Sequence, residues 1–540
     1  MTADGGNWDY IVIGAGSAGA VIANRLSADP RHSVLLLEAG PARNFWEAIP
    51  IGYSRLIDNP ETNWCYLAEA ESGTNGRRLN VPRGRLLGGT SSINGHAFVR
   101  GQRQDFDTWA QLGNVGWSYA DVLPMYQRME NTSSGSDAYR GRGGPLRITR
   151  PPPHEPIFAK MIEAAGQIGI AHNPDYNEAE QDGIAVSEVT IASGRRQSTA
   201  HCYLHTIRNR ANLRIETGAL ARAVLLEGSR CVGVRYEVGG EVREVRAARE
   251  VVVCGGAINS PQLLELSGIG QPERLRDLGI EVRHAMPGVG ENLRDHYAAH
   301  TRWTIDTRGY SFNERARGLP LVGEVLKYLL LRRGLLVMAG APLRAFVRSR
   351  EGLASPDILL GLVPLSYDFG ADGSIRPSRQ SGVTLYAHPI RPESHGSVHA
   401  ASADPRQPPA IRFNFLSAAA DRSLAVAAVR RARQVMTAPA MASLGMTEIA
   451  PGSAVQSDED ILDWVRNTGQ TTYHPVGTCK MGVDDMAVVD PRLRVRGING
   501  LRVADASIMP TITSGNTNAP SIMIGEKAAD MILEDFAAWV

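Results

Sequence analysis

The sequence predicts an α/β protein in which helices cover a parallel sheet. A short apolar, β-branched run at Tyr10–Ile13 is followed by glycines and by a helix-like stretch, Ala18–Leu26. Asp29 and Pro30 end that helix, and Ser33–Glu38 (SVLLLE) is predicted to be a second buried strand. Strand, helix and strand in this order form a β-α-β unit, from which parallel sheets with covering helices are built.

A second group of strand signals lies in the middle of the chain. The predicted strands are Leu213–Thr217, Ala221–Leu226, Cys231–Glu237 and Val242–Val253, with a hairpin turn at Gly239–Gly240. A helix is predicted at Ser260–Leu266, residues 380–415 are again strand-like, and Arg147–Pro156 is interpreted as a crossing between regions. A chain of 540 residues is too long for one hydrophobic core, so we expect two or more packed regions.

Composition and charge narrow the classes of function. Hydrophobic residues make up 43% and charged residues 21% of the chain, as in ordinary soluble globular proteins. The formal net charge is +1, and the sequence has no basic block of the kind that neutralises nucleic-acid phosphates. We therefore expect no nucleic-acid partner.

Cysteine spacing and apolar runs bear on where the protein resides. The five cysteines lie far apart without a C-x-x-C pair, so no disulfide framework is expected and a reducing compartment fits. The N-terminus lacks the basic region and long apolar core of a secretory signal. The apolar stretch Leu326–Met338 is interrupted by Lys327, Arg332 and Arg333, so no integral membrane segment is expected. The prediction is a cytoplasmic protein, with peripheral membrane contact left open.

A G-x-G-x-x-G sequence, Gly14-Ala15-Gly16-Ser17-Ala18-Gly19, stands directly after a predicted strand and opens a predicted helix. Gly14 permits a tight turn, Gly16 lets a pyrophosphate approach the backbone, and Gly19 allows the helix to pack closely on the strand. The helix N-terminus offers N–H groups and partial positive charge to phosphates. Glu38, at the end of the next strand, is placed to accept hydrogen bonds from ribose hydroxyls. The fingerprint predicts a dinucleotide without separating FAD from NAD.

Longer motifs follow along the chain. Gly84–Asn94 (GRLLGGTSSIN) continues to Asp107, Gly256–Leu264 reads GAINSPQLL, and Tyr473–Thr478 (YHPVGT) and Val503–Asn518 lie near the C-terminus. Together these blocks resemble the signatures of the glucose–methanol–choline (GMC) oxidoreductases, in the order of that family and across essentially the whole chain. Their spacing is most similar to the sorbose dehydrogenase- and choline dehydrogenase-like branch.

The resemblance implies FAD as the cofactor and a fold of two domains. A doubly wound, Rossmann-like FAD-binding domain would comprise residues 1–155, 206–295 and 471–540. An inserted substrate-binding domain with an antiparallel sheet would comprise residues 156–205 and 296–470.

Contacts to FAD are carried over from the family by motif. They fall on Gly14, Gly16, Ser17, Ala18, Gly19, Glu38, Trp64, Arg85, Gly88, Gly89, Asn94, Gly95, His96, Ala97, Leu220, Tyr473, Asp505, Ala506 and Thr517. Some relatives attach FAD covalently through a histidine, but the matching position here is Ile93, so we expect non-covalent FAD. His96, three residues on, either faces the active site or is an ordinary hydrogen-bonded histidine.

The resemblance also implies the catalytic pair. His474 matches the family's base, and Asn516 matches a second position that relatives fill with histidine or asparagine. Alcohol oxidation removes a hydroxyl proton while hydride leaves the same carbon, and histidine suits this task because its unperturbed pKa is about 6.5. A positioned base contributes about 10²–10⁴ in rate. Asp505 is expected to cap or orient a helix near the flavin.

Two histidine pairs have H-x₃-H spacing, His201 with His205 and His395 with His399. Each pair would share a face only on a helix, and neither has an H-E-x-x-H arrangement or a third ligand. No metal site is therefore expected. His296 matches a Gly-x-Asn-Leu-x-Asp-His pattern of the family, and we expect it to have a structural or domain-boundary role.

The predicted function is FAD-dependent oxidation of a primary alcohol or polyol to an aldehyde or ketone, with a quinone-like electron acceptor. An oxygen-using oxidase of the same family is the first alternative. A nicotinamide-dependent reductase and a hydroxynitrile-type lyase are alternatives from other classes, whereas the lack of a G-x-S-x-G elbow argues against an α/β-hydrolase. A cationic choline would need an anionic or aromatic cage, and no motif in residues 296–470 predicts one.

Overall fold

Two seven-stranded sheets organise the chain, which the computed structural model describes over residues 6–151, 155–369 and 375–537. The first sheet contains, in spatial order, Leu213–Thr217, Val34–Glu38, Asn7–Ile13, Glu241–Val253, Arg230–Val238 and Leu220–Glu227, with Leu501–Val503 also paired to Glu241–Val253. Pairing is parallel along the first four strands and with Leu501–Val503, and antiparallel in the final hairpin.

The first sheet confirms the strands that the sequence predicts. Leu213–Thr217 has the predicted bounds, and the other strands begin or end within three residues of them. The helices Gly19–Leu26 and Gly256–Leu266 follow where glycines interrupt the apolar runs. Central residues such as Ile11 and Val252 are completely buried, because helices and loops cover both faces of a parallel sheet.

The second sheet is antiparallel throughout. Its strands, in spatial order, are Met446–Ala450, Tyr297–Ile305, Gly382–Pro389, Ile358–Val363, Leu343–Val347 and Gly183–Val186, and Gln470–Thr471 also pairs with Tyr297–Ile305. Sequence patterns located only the strands within residues 380–415. Leu343–Val347 and Ile358–Val363 are buried almost throughout, so their apolar runs lack the alternation that marks a half-exposed strand.

Shorter elements complete the structure. The small sheets are formed by Tyr66–Leu67 with Asn80–Val81, Glu130–Asn131 with Leu146–Arg147, Ile191–Ala192 with Arg195–Arg196, Ile269–Gly270 with His284–Ala285, Tyr367–Phe369 with Ile375–Pro377, and Glu291–Leu293 with Gly396–His399 and Ala410–Arg412. The remaining α-helices are Tyr53–Leu56, Arg103–Gln111, Tyr119–Met129, Pro156–Gln167, Pro272–Asp277, Gly318–Leu331, Ala419–Thr437, Pro439–Ala442, Asp458–Thr468 and Asn518–Ala537. The predicted crossing Arg147–Pro156 includes residues 152–154, which lie outside the described residues.

Each large sheet has its own hydrophobic core. The core around the first sheet includes both covering helices, Gly19–Leu26 and the C-terminal Asn518–Ala537, which pack against each other. The core around the second sheet is closed by the helices Pro156–Gln167 and Ala419–Thr437. An α/β fold with an antiparallel second sheet is therefore confirmed.

The helix Gly318–Leu331 has an unusual orientation. Its buried residues are Glu324 and Tyr328, whereas leucines face outward, with Leu319 86% and Leu330 79% exposed. Glu324 Oε2 accepts a hydrogen bond from Leu335 N at 2.6 Å, which anchors the helix to the turn that follows it. Among the described residues, no helix combines the length and apolar character needed to span a bilayer. We call Gly318–Leu331 the apolar helix.

Candidate active site

A cavity of about 430 Å³ extends between the two sheets. Gly14, Gly16 and Glu38 line one end, and His474 and Asn516 line the other. The predicted fingerprint and the predicted catalytic pair therefore face one continuous space.

The fingerprint glycines have the backbone geometry that the sequence predicts. Gly14 has a φ of +94°, and a Cβ there would lie 2.5 Å from Cys254 O. A Cβ on Gly19 would lie 2.0 Å from Gly14 O, so only glycine allows the helix to approach the strand this closely. No atom lies within 4 Å of a Cβ built on Gly16, which leaves bare backbone facing the cavity.

Glu38 lies beside the fingerprint at the end of its strand. Its carboxylate accepts hydrogen bonds from Ala15 N at 3.0 Å and Gly40 N at 2.9 Å. Burial raises the pKa of Glu38 to about 7, although these hydrogen bonds lower it. Because a carboxylate oxygen can accept more than one hydrogen bond, the side chain keeps capacity for a ligand hydroxyl.

The glycine-rich loop is fastened to the fingerprint. Gly88 N donates to Ala15 O at 2.8 Å, and a 3₁₀ turn follows at Gly89–Ser92. Most of the predicted FAD contacts line the cavity, namely Gly14, Gly16, Ser17, Ala18, Glu38, Trp64, Gly89, Asn94, Gly95, His96, Ala97, Leu220, Tyr473, Asp505, Ala506 and Thr517. Gly19, Arg85 and Gly88 lie outside its wall: Arg85 stacks over Trp64 at 5.1 Å, and the glycines permit close backbone packing.

Two residues of the loop bear on how a flavin would be held. Ile93 lines the cavity with an aliphatic side chain. His96 also lines it, is completely buried, and bonds through Nε2 to Pro50 O at 2.8 Å. The His96 Nδ1 atom has no hydrogen-bond partner among the described residues. Burial, with the charge of Arg196, lowers the pKa of His96 well below its usual value. The two interpretations of His96, a histidine in the cavity wall and an ordinary hydrogen-bonded histidine, are therefore compatible with each other.

Asp505 caps the short 3₁₀ turn Ala506–Ile508, as expected. It accepts hydrogen bonds from Ser507 N at 2.7 Å, Gly256 N at 2.8 Å and Ser260 Oγ at 2.6 Å. These contacts hold the loop after Leu501–Val503 against the helix Gly256–Leu266. The carboxylate thus orients two backbone N–H groups and the hydroxyl of Ser260, which is the geometry expected of a residue that caps or orients a helix.

The catalytic pair is in direct contact. His474 Nε2 lies 2.8 Å from Asn516 Nδ2, and His474 Nδ1 lies 2.8 Å from Thr472 Oγ1 and 3.1 Å from His296 Nδ1. Asp295 Oδ1 accepts the backbone N–H of His474 at 2.9 Å and that of His296 at 2.7 Å. Burial raises the pKa of Asp295 to about 7, although hydrogen bonds from Thr471 and His474 lower it.

Neighbouring groups fix where the proton of His474 resides. Arg344 Nη1 lies 2.9 Å from Asn516 Oδ1, and because a guanidinium only donates, the amide must turn its N–H toward His474. His474 Nε2 therefore accepts a hydrogen bond and carries no proton. On the other side, His296 Nε2 donates to Ile390 O at 2.9 Å, which leaves His296 Nδ1 free to accept from His474 Nδ1–H. The network selects the tautomer that a base needs.

Electrostatics keep His474 neutral. Burial lowers its pKa well below the usual value, and electrostatic interactions with His296, His388, Arg83 and Arg344 lower it further. The free Nε2 lone pair is thus available at neutral pH. His296, for which the sequence suggested only a structural or domain-boundary role, contacts His474 directly and orients its ring.

Several cavity residues were not predicted from the sequence. His300, Arg344, Leu359, Tyr386 and His388 project from strands of the second sheet into the catalytic end. Tyr386 and His388 stand two positions apart, so they share one face of their strand. Burial lowers the pKa of His300 and of His388 to about 4. The sequence signal that could have identified Tyr386 and His388 is the placement of two polar side chains at alternate positions within an apolar strand.

The remaining candidates lie away from this chemistry. The rings of His201 and His205 stack 6.0 Å apart beside a π-helical turn, and neither lines the cavity. His399 bonds to Glu265 at 2.8 Å and Glu291 at 3.2 Å. In the parts of the chain that the structure describes, no group of three or more His, Cys, Asp or Glu side chains is arranged to hold a metal. Burial raises the pKa of Cys479 well above its usual value, so it is not a reactive thiolate.

Comparison with known proteins places this site in a family. Profiles of the GMC oxidoreductases match residues 8–298 and 392–525. Oxygen-dependent choline dehydrogenase of Sinorhizobium fredii is 42% identical, covering 97% of this chain and 95% of the relative. The enzyme of that name from Photobacterium profundum is 39% identical, covering 97% and 93%.

Solved structures agree with these sequence matches. Pyridoxine 4-oxidase from Mesorbium loti superposes with a TM-score of 0.88 at 30% identity, covering 97% of this chain and 99% of that one. A variant of formate oxidase from Aspergillus oryzae RIB40 superposes with a TM-score of 0.92 at 26% identity and covers both chains fully.

A Rossmann-like fold, a dinucleotide cavity and a histidine–asparagine pair at its end define an oxidoreductase. The chain belongs to the GMC oxidoreductase family. It is an FAD-dependent enzyme acting on CH–OH donors, and its relatives confirm the predicted choline dehydrogenase-like placement. The bare backbone at Gly16 faces the cavity, His96 with its unpartnered Nδ1 belongs to the cavity wall, and both fit such a cofactor.

Replacing Gly16 with valine tests the dinucleotide end of the cavity. A valine side chain would occupy the space beside the bare backbone, so we expect the purified Gly16→Val variant to contain less than about one tenth of the wild-type flavin. Flavin absorbance per polypeptide measures this without any assay of activity. Gly143→Val is the matched control, because Gly143 is exposed and open on all sides. Equal flavin content in both variants would contradict the assignment.

Proposed function

We propose that this enzyme oxidises a primary alcohol or polyol to the aldehyde or ketone, with His474 as the base and Asn516 as its partner. Bound FAD supplies the hydride acceptor. The carbinol hydroxyl takes the place between His474 Nε2 and Asn516 Nδ2, which are 2.8 Å apart without it. Nε2 accepts the hydroxyl proton, and Asn516 Nδ2–H donates to the oxygen as negative charge develops on it.

The observation that carries this proposal is the enforced tautomer of His474. A base that faced the substrate with an N–H would be unable to take a proton, and here Arg344 and His296 together hold the opposite arrangement. The lowered pKa of His474 keeps the lone pair free at neutral pH. Membership of an FAD-dependent family removes the nicotinamide-dependent reductase from the alternatives.

The two large sheets support the proposed division into domains. Strands of the first sheet come from residues 1–155, 206–295 and 471–540, which we assign to the FAD-binding domain. Strands of the second sheet come from residues 156–205 and 296–470, assigned to the substrate-binding domain, apart from Gln470–Thr471 at the boundary. Arg344 and His388 then belong to the substrate domain, and His474 and Asn516 to the FAD domain.

We propose a quinone-like acceptor and a cytoplasmic enzyme that contacts the membrane peripherally. The apolar helix exposes Leu319, Leu329 and Leu330, with Lys327 and Arg333 also exposed beside them. Outward leucines accompanied by cations are typical of segments that lie in the interface of anionic bilayers. The chain then continues to Gly340 and Ala341, which line the cavity.

Molecular oxygen is the second candidate acceptor, because relatives and structural neighbours carry oxygen-dependent or oxidase names.

Removing the imidazole tests the base. We expect His474→Ala to retain FAD, and flavin reduction by alcohols to slow by about 10²–10⁴, because the hydroxyl proton then has no acceptor. Anaerobic stopped-flow bleaching of the flavin with an alcohol panel measures this, and repeating it with air or a quinone identifies the acceptor. His205→Ala is the control, since His205 is exposed and does not line the cavity. Near-wild-type reduction by His474→Ala would remove His474 from its role, and turnover of a cyanohydrin without an acceptor would indicate a lyase.

Flavin attachment is testable separately. Ile93 offers no nucleophile, so we expect acid precipitation to release all FAD into the supernatant. Flavin that instead migrates with the denatured polypeptide would contradict non-covalent binding. Loss of that signal in His96→Ala would then identify His96 Nδ1 as the attachment point.

The apolar helix is testable with vesicles. We expect the holoenzyme to sediment with vesicles that contain phosphatidylglycerol, and the double variant Leu329→Glu, Leu330→Glu to lose at least about tenfold in binding, because each leucine contributes about 1.5–3 kcal/mol when buried. Val115→Glu is the control, because Val115 is 83% exposed and lies outside this helix. Equal sedimentation of the wild type and the double variant would refute membrane contact through this helix.

A further inference from the structure

Arg344 is a buried cation at the catalytic end of the cavity. Its side chain is 1% exposed, and it belongs to the strand Leu343–Val347 of the second sheet. Arg344 Nε donates to Ser187 Oγ at 2.9 Å and Nη1 to Asn516 Oδ1 at 2.9 Å, while the guanidinium stacks over Tyr176 at 5.5 Å. The Nη2 atom is buried and has no hydrogen-bond partner among the described residues.

The charge of Arg344 is also uncompensated. Two other fully buried arginines form ion pairs, Arg100 with Glu130 at 2.5 Å and Arg502 with Glu250 at 2.6 Å, whereas the buried Arg196 donates to the carbonyl oxygens of Glu47, Ser91 and Asn94. Within the described chain, Arg344 forms no ion pair with any carboxylate. A buried guanidinium without a counter-ion is strongly disfavoured, so its presence in a cavity calls for an anion that arrives with a ligand.

The acidic residues of the cavity do not provide that anion. Glu38 and Asp505 are the only carboxylates in the described cavity wall, and both are engaged by backbone N–H groups of the first domain. Arg83 adds a second positive charge, and its Nη2 donates to Tyr473 O at 2.6 Å. Asp295 lies outside the cavity wall and offsets part of the charge of Arg83, so the wall at the catalytic end remains electropositive and opposes a quaternary ammonium substrate.

We propose that Arg344 binds the carboxylate of the substrate and that the enzyme acts on short hydroxycarboxylates in preference to choline. This inference rests on the proposed alcohol oxidation. The carbinol lies at His474 and Asn516, and Arg344 contacts the opposite edge of the same Asn516 amide. Only a few carbons therefore separate the carbinol from the carboxylate. One proton passes to His474 Nε2, a hydride passes to FAD, and the carboxylate leaves unchanged on an oxo acid.

Matched substrates decide the proposal on the wild-type holoenzyme. Glycolate, 3-hydroxypropionate and 4-hydroxybutyrate are compared with ethylene glycol, 1,3-propanediol and 1,4-butanediol, and with choline, by anaerobic flavin bleaching. We expect at least one acid to bind about 10- to 100-fold more tightly than its diol, as a charge-assisted hydrogen bond provides. We expect choline to bind no better than the diols. The strongest binding by choline, or no preference in any pair, would overturn the proposal.

A binding measurement separates this proposal from the proposed function. Acetate, propionate and butyrate are not oxidised, and we expect at least one to perturb the flavin spectrum of the oxidised holoenzyme saturably. If no alcohol bleaches the flavin, alcohol oxidation fails, yet carboxylate binding still decides the role of Arg344. Absence of any carboxylate binding would overturn the inference even if neutral alcohols are oxidised.

Two variants distinguish charge recognition from simple positioning of Asn516. Arg344→Met removes the charge, and we expect the KM for the acid to rise about 10- to 100-fold relative to the KM for its diol. Arg348→Met is the control, because Arg348 follows the same strand but pairs with Asp182 and does not line the cavity. We expect the control to keep the preference. An equal fall in kcat for acid and diol, with their KM ratio unchanged, would make Arg344 only a positioning residue and overturn the proposal.

Discussion

The pattern of donors and acceptors at this site depends on one hydrogen-bond chain that runs from Arg344 through Asn516 and His474 to His296. Each end of the chain is fixed by chemistry that allows a single direction: a guanidinium that only donates, and the carbonyl of Ile390 that only accepts. Between them, the amide and two imidazoles have one consistent pattern of donors and acceptors. The lone pair of His474 Nε2 toward the cavity follows from that pattern.

This chain crosses between the two halves of the molecule. Arg344 and Ile390 lie on or beside strands of the second sheet, whereas His474 and Asn516 lie in loops near Leu501–Val503 and the C-terminal helix. One half thus supplies His474, Asn516 and the fingerprint glycines, and the other supplies Arg344 and the carbonyl of Ile390, which fix the two ends of the hydrogen-bond chain. Related enzymes can therefore differ in substrate, because the cavity residues on the second sheet can be replaced without changing the glycines beside the first sheet.

Local signals in the sequence predicted much of the first half and little of the second. The G-x-G-x-x-G turn and strands such as Leu213–Thr217 follow from apolar runs and glycines within a few residues. The resemblance to a family supplied His474 and Asn516. Arg344 escaped prediction because its significance comes from a partner 172 positions away, and the contact of His296 with His474 spans 178 positions. Strands buried on both faces, such as Leu343–Val347, gave no alternating pattern.

The strand Leu501–Val503 sits inside the first sheet beside Glu241–Val253, and the helix after it packs on Gly19–Leu26. During synthesis the N-terminal half therefore keeps an unpaired strand and an uncovered apolar helix face until residues 501–537 have been made and have folded onto it. The nucleotide site is complete only after that step. A chain truncated before residue 501 would expose apolar surfaces of the kind that chaperones bind.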